Sequence, residues 1–113
     1  MAKRTVGDVI KRSRDILQDT VSEEYRYTDD SLVGIFNDSI AEIKRLRPDA
    51  FIYGEDLPSF TASEFASDFP LAEIFFQPAV YFIAGQAELR DDEFTVENRA
   101  MTLLSQFSNM LVR

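Results

Sequence analysis

The side chains best placed to do chemistry are three acidic groups: Glu23-Glu24, Asp29-Asp30 and Asp91-Asp92-Glu93. Paired carboxylates can serve as general acid and base, or hold a divalent cation. A cation needs oxygens converging from several positions, and no calcium-loop spacing surrounds any of the three. Each group also has a plainer role. Asp29-Asp30 follows Thr28 and fits the first turn of a helix, where negative charge suits the dipole. Asp91-Asp92-Glu93 fits a turn between helices, and Glu23-Glu24 an exposed connector. The chain contains neither His nor Cys. Ser-His and Cys-His nucleophile pairs, disulfides and His or Cys metal sites are therefore impossible within it. Gly7, Gly34, Gly54 and Gly85 are too far apart in sequence to build a phosphate-cradling loop. We expect no catalytic residue, no cofactor, no metal and no enzymatic activity.

Charge is spread unevenly. Residues 1–14 hold five bases against Asp8, a balance of +4, which leaves -12 for the rest of a chain whose net charge is -8. The basic group (Lys3, Arg4, Lys11, Arg12 and Arg14) has no interleaved aromatics and reads as a solvated helix face rather than a nucleic-acid site. Between Pro48 and Asn98 there are eleven acids and one base, Arg90. Such a surface should not grip DNA phosphates. Its plainest use is solubility. The N-terminus is charged and no apolar run follows it, so we expect no signal peptide. The apolar stretch from Leu71 to Ala84 is broken by Glu73, Gln77 and Pro78 and is too short to span a membrane.

The elements that position these residues read as helices. At 113 residues and 45% hydrophobic, the chain fits one domain over 1–113 with a modest core. Thr5 can cap a first helix running to about Asp19, with Val6, Val9, Ile10, Ser13, Ile16 and Leu17 on one face. Tyr27 can pack just before a second cap at Thr28. The second helix carries Leu32, Ile35, Phe36, Ser39, Ile40, Ile43 and Leu46 on one stripe, has Lys44, Arg45 and Arg47 at its end, and stops at Pro48. A long irregular loop follows, from Phe51 to Phe69, with turn chemistry at Gly54-Glu55-Asp56 and Leu57-Pro58-Ser59. Its aromatics Phe60, Phe65 and Phe69 either fold back on the core or meet a neighbouring subunit, with the core slightly favoured. Pro78 fits the first position of a third helix that is apolar on all sides, hence central or covered by another subunit. Thr95 caps a fourth, with Val96, Ala100, Leu103, Leu104, Phe107, Met110 and Leu111 as its stripe. Gly34 and Gly85 lie inside helices, where close helix approach would compensate their low propensity. The expected fold is all-α, a small four-helix bundle with one long irregular loop between helices 2 and 3.

The order of these features resembles the head-to-tail adaptor (connector) proteins of phages. The resemblance is carried most specifically by residues 27–51: the aromatic-Thr-Asp opening Tyr27-Thr28-Asp29, then Phe36-Asn37-Asp38, Ile43, and Leu46-Arg47-Pro48-Asp49-Ala50. The helix opened by Val6-Gly7-Asp8-Val9-Ile10 and the third helix at Pro78-Ala79-Val80-Tyr81 follow the family in pattern only. The chain departs from the family in the acidity between its third and fourth helices. It also ends directly after the fourth, where some adaptors carry an extension to the portal. The resemblance implies a structural protein of the virion, located at the head-tail junction and assembled in the host cytoplasm. It implies a homo-oligomeric ring, expected to be twelvefold, beneath the portal protein. DNA would pass through its lumen without specific binding, and tail or nozzle proteins would dock below. No membrane is involved. On this reading Arg45, Arg47, Phe51, Tyr53, Phe60 and Phe65 are the candidate subunit or portal contacts.

Two other classes compete. An acidic protein of this size could mimic DNA and inhibit a DNA-binding enzyme, and competition with DNA for that enzyme would reveal it. A small hydrolase is the weakest reading, because it would have to rely on paired carboxylates and a metal.

Overall fold

The computed structural model describes residues 4–21, 25–47, 59–90 and 97–111. Among them are four α-helices: α1 (Val6–Leu17), α2 (Asp29–Leu46), α3 (Phe76–Arg90) and α4 (Glu97–Leu111). Two short 3-10 turns, Ala62–Glu64 and Glu73–Phe75, lie between α2 and α3. The bundle is all-α, as its periodicity predicts. None of the described helices is long and apolar enough to cross a membrane.

Local chemistry sets the helix ends. The Asp8 amide donates to Thr5 Oγ1 at 3.2 Å, and the Thr5 amide donates back to Asp8 Oδ2 at 2.9 Å, a reciprocal cap. The expected end of α1 near Asp19 is two residues late. The helix closes at Leu17 because Gln18 turns left-handed (φ 57°) and its N–H returns to the carbonyls of Arg14 and Asp15. In α2, Thr28 accepts from the Ser31 amide at 3.0 Å. α3 begins at Phe76, two residues before the expected Pro78, because the preceding 3-10 turn feeds straight into it. Pro78 is still in the first turn, where an N–H has no intrahelical partner to lose. Thr95 and Pro48 lie outside the described residues.

α3 is the centre of the bundle and packs against α1, α2 and α4. Ala79, Val80, Ile83, Ala84 and Ala87 are fully buried on one side and Phe82 and Glu88 are buried on the other, so this apolar helix is covered over most of its circumference within one chain, with Leu89 near its end 38% exposed. α4 leans chiefly on α3, through Ala100, Phe107 and Leu111. One neighbour buries only a narrow stripe, which corrects the expectation for Met110: it is 37% exposed.

The described part of the long loop is more ordered by hydrogen bonds than its composition suggests. The amides of Val6 and Gly7, which open α1 and have no helical acceptor, donate to Ser67 O at 2.8 Å and Phe65 O at 2.9 Å. Phe69 N donates to Arg4 O at 2.8 Å. Phe69 itself is buried between Phe36 (6.2 Å between centroids) and Phe76 (5.5 Å).

Candidate interaction surface

Among the described residues, no group of His, Cys, Asp or Glu is arranged to hold a metal ion. An open hollow of about 380 Å³ lies on the outer side of α1, lined by Arg4, Asp8, Lys11, Arg12, Asp15 and Phe76. Its charges are mixed, and Arg4 is already engaged. Its guanidinium lies 4.1 Å from the Phe76 ring centroid, and its Nε is 2.8 Å from the Glu73 carboxylate. The hollow is a polar surface rather than a chemical site.

The basic group at the N-terminus is not one solvated face. Arg14 is 4% exposed. Its Nη1 donates to Asp19 Oδ2 at 2.8 Å and its Nη2 to Asp29 Oδ1 at 2.7 Å, while the Tyr25 ring covers it with a centroid 3.6 Å away. Asp19, equally buried, also accepts from the amides of Arg26 (2.8 Å) and Tyr27 (3.2 Å). Arg26 donates to the Leu17 carbonyl at 2.6 Å, at the end of α1. The signal was present in the sequence: Arg14 falls four residues after Ile10 and three before Leu17, on the apolar stripe.

The stretch that carries the family resemblance now has a physical account over its described part. Tyr27 is buried against the core. Thr28 caps α2, and Asp29 adds an ion pair with Arg14 to its place in the first turn. Asn37 makes two hydrogen bonds to the backbone of Phe60. Its Nδ2 donates to Phe60 O at 2.9 Å, and Phe60 N donates to its Oδ1 at 3.0 Å. This side-chain clasp fixes the end of the loop on α2, and Phe60 then packs on Phe36 at 5.8 Å. Asp38 is exposed on the adjacent face. Asn37→Ala should remove both bonds and lower stability by about 1–3 kcal/mol. Hydrogen exchange should become faster at the Phe60 amide, and an unchanged exchange rate there would contradict the clasp.

The described candidate contact residues separate into three sets. Arg45 is exposed and paired along the helix with Glu42, at 3.0 Å from Nε and 2.9 Å from Nη2. The Arg45 hydrogen bond holds the Glu42 carboxyl below its ordinary value. The folded form binds fewer protons, so this contribution is present at neutral pH and fades as pH falls through the lowered value. Arg47 is half-buried instead. Its Nη1 donates to the Leu111 carbonyl at 3.1 Å, and its guanidinium lies 5.7 Å from the Phe75 ring centroid, tying the ends of α2 and α4 together. Phe60 and Phe65 are partly buried and packed against the chain's own core. Phe51, Tyr53, Pro48 and Asp49 lie outside the described residues. Among the described contact residues, Arg45 is thus the exposed one.

Comparison with protein-family models, curated proteins and solved structures finds no match to this chain.

Proposed function

We propose that this chain is a structural virion protein, a head-to-tail adaptor whose copies form a ring beneath a portal protein and dock tail or nozzle proteins below. The observation that carries the reading is the stretch 27–51, with its aromatic-Thr-Asp opening and its Leu-Arg-Pro-Asp-Ala close. Three facts support it. The described part of that stretch is a capped helix inside an all-α domain. The chain has no His and no Cys, the residues most often recruited for catalysis. A net charge of -8 suits a channel wall that DNA must slide past without sticking.

The ring, expected to be twelvefold, meets the portal through the end of α2. Arg45 is the residue to test, because its guanidinium is exposed and its partner Glu42 is on the same helix. Arg45→Glu should weaken binding to the portal about tenfold at low ionic strength, with the loss shrinking as salt is added. Melting temperature should hardly change. Arg47→Glu should weaken binding too, but it also breaks the tie to Leu111, so its stability must be measured beside its affinity. Portal binding that is indifferent to Arg45→Glu would remove this helix end from the interface.

A further inference from the structure

We propose that the hollow on the outer side of α1 docks a short acidic segment of a partner protein, one that carries a carboxylate beside an apolar side chain. The proposal goes beyond the adaptor reading and does not depend on it. It starts from where this chain leaves positive charge unmatched. Arg14 is bound to Asp19 and Asp29, and Arg45 to Glu42. Arg26 and Arg47 are bound to backbone carbonyls, and Lys44 is engaged as well. Lys11 and Arg12 are different. Both are exposed, and neither has an ion pair or a ring contact among the described residues. They are neighbours on α1, and both line the same hollow of about 380 Å³.

Arg4 completes the positive side. Glu73 holds its Nε at 2.8 Å, and the Phe76 ring supports its guanidinium with a centroid 4.1 Å away. A guanidinium has five N–H donors, so this anchoring at Nε leaves donors to offer a guest. Because the group is already fixed, it loses little freedom on binding one. The acids of the hollow do not cancel this. Asp8 is turned to its own cap and accepts from the Thr5 amide at 2.9 Å. Asp15 is exposed and paired with neither cation. Three bases against two acids give the lining a balance of +1. Ile74 adds an apolar contact. It follows Glu73 in the same 3-10 turn and is 69% exposed, more than any other large hydrophobic side chain described.

Charge selects the occupant. Residues beyond 14 sum to -12, so the hollow is a small positive island whose field fades over about 8 Å at physiological salt. A nucleic acid or an anionic membrane extends past that range and meets the acidic remainder. A peptide carboxylate does not. It brings one charge on a short stem, matches the flat guanidinium fork, and leaves the next residue to lie on Ile74.

The test is an amide NMR titration of the isotope-labelled full chain with the peptide acetyl-Leu-Asp-Glu-Leu-amide. Shifts at Lys11, Arg12 and Ile74 should saturate with a dissociation constant of about 1 mM or tighter, and the affinity should fall as salt is added. The neutral peptide acetyl-Leu-Asn-Gln-Leu-amide should bind about tenfold more weakly. Arg12→Glu, on an exposed position, should keep the wild-type helicity and melting temperature and lose about tenfold in affinity. Asp15→Asn should tighten binding about threefold, because it removes the opposing charge. Equal binding of the two peptides overturns the proposal, as does an affinity indifferent to Arg12→Glu or weakened by Asp15→Asn. Inorganic phosphate, oligothymidine or anionic vesicles binding as tightly as the acidic peptide would also overturn it, by showing a site for any anion. The same shifts on concentrating the chain alone would give the hollow to a second copy instead.

Discussion

Arg14→Met should lower the unfolding free energy by about 3–5 kcal/mol, the cost of leaving a buried carboxylate without its counter-ion. Arg14 and Asp19 are buried together, and Asp29 is the half-exposed third member. A domain of this size is stabilised by only about 5–15 kcal/mol in total, so the variant should unfold at much lower denaturant. Asp19→Ala should be similarly damaging. It removes the acceptor of the Arg26 and Tyr27 amides as well as the partner of Arg14. Those bonds hold the connector between α1 and α2, so near-ultraviolet signals from Tyr25 and Tyr27 should change with it. The double variant should lose less than the sum of the singles, because the residues act as one network. A loss below about 1 kcal/mol for Arg14→Met would show that the cluster is solvated rather than buried.

Gly85→Ala should destabilise the chain by about 1–2 kcal/mol although alanine is the better helix former. An added Cβ would stand 2.8 Å from Leu104 Cγ, 2.9 Å from Leu104 Cδ2 and 3.3 Å from the Ala100 carbonyl oxygen. α3 and α4 touch through that glycine, so a methyl group there must displace Leu104 or part the helices. Leu104→Ala in the same chain should restore part of the loss by vacating the space, a non-additive pair. Gly34 gives the opposite sign. A Cβ at Gly34 would meet nothing within 4 Å. Gly34→Ala should therefore stabilise by about 0.5–1 kcal/mol through helix propensity and reduced freedom of the unfolded chain. Chemical denaturation of the two variants side by side checks both. Equal effects would mean that α3 and α4 do not approach at Gly85 as described.

These two glycines show how far the sequence could be read. Both lie inside helices, and local pattern assigns both to close packing. Only the three-dimensional neighbour distinguishes them: Leu104 for Gly85, open space for Gly34. The helices themselves were legible because their signals agree. Thr5 with Asp8, and Thr28 with Asp29-Asp30, place N-termini where the apolar period begins, and the apolar run from Ala79 to Ala84 marks α3 as either central or covered by another subunit, of which the fold shows the first. The start of α3 at Phe76 rather than Pro78 is not legible locally, because a proline in the first turn is compatible with several registers. The exposure of Met110 is not legible either, because periodicity gives a stripe but not its width, and α4 has one main neighbour.

The side-chain clasps were the least visible part. Asn37 belongs to the stretch that resembles the adaptor family, yet nothing local links it to Phe60, twenty-three residues away. The link exists because the loop returns across α2, which a one-dimensional pattern does not encode. Arg14 could have been found, since a cation on an apolar stripe needs a buried partner. Its partners could not, because Asp19 lies in a left-handed exit from α1 and Asp29 in the next helix. The candidate surface was legible only in part. Arg45 and Arg47 look equivalent in sequence, but one is open to solvent and the other ties α2 to α4.

The adaptor role is tested most directly by quantitative mass spectrometry of purified virus particles from the source system, comparing the copy number of this chain with that of the portal and major capsid proteins. An adaptor should be present in the particle in equal copies with the portal, as a ring seated on a ring of the same order. Absence from particles, with the chain abundant in infected cells instead, would contradict it and put the acidic inhibitor of a DNA-binding enzyme in its place.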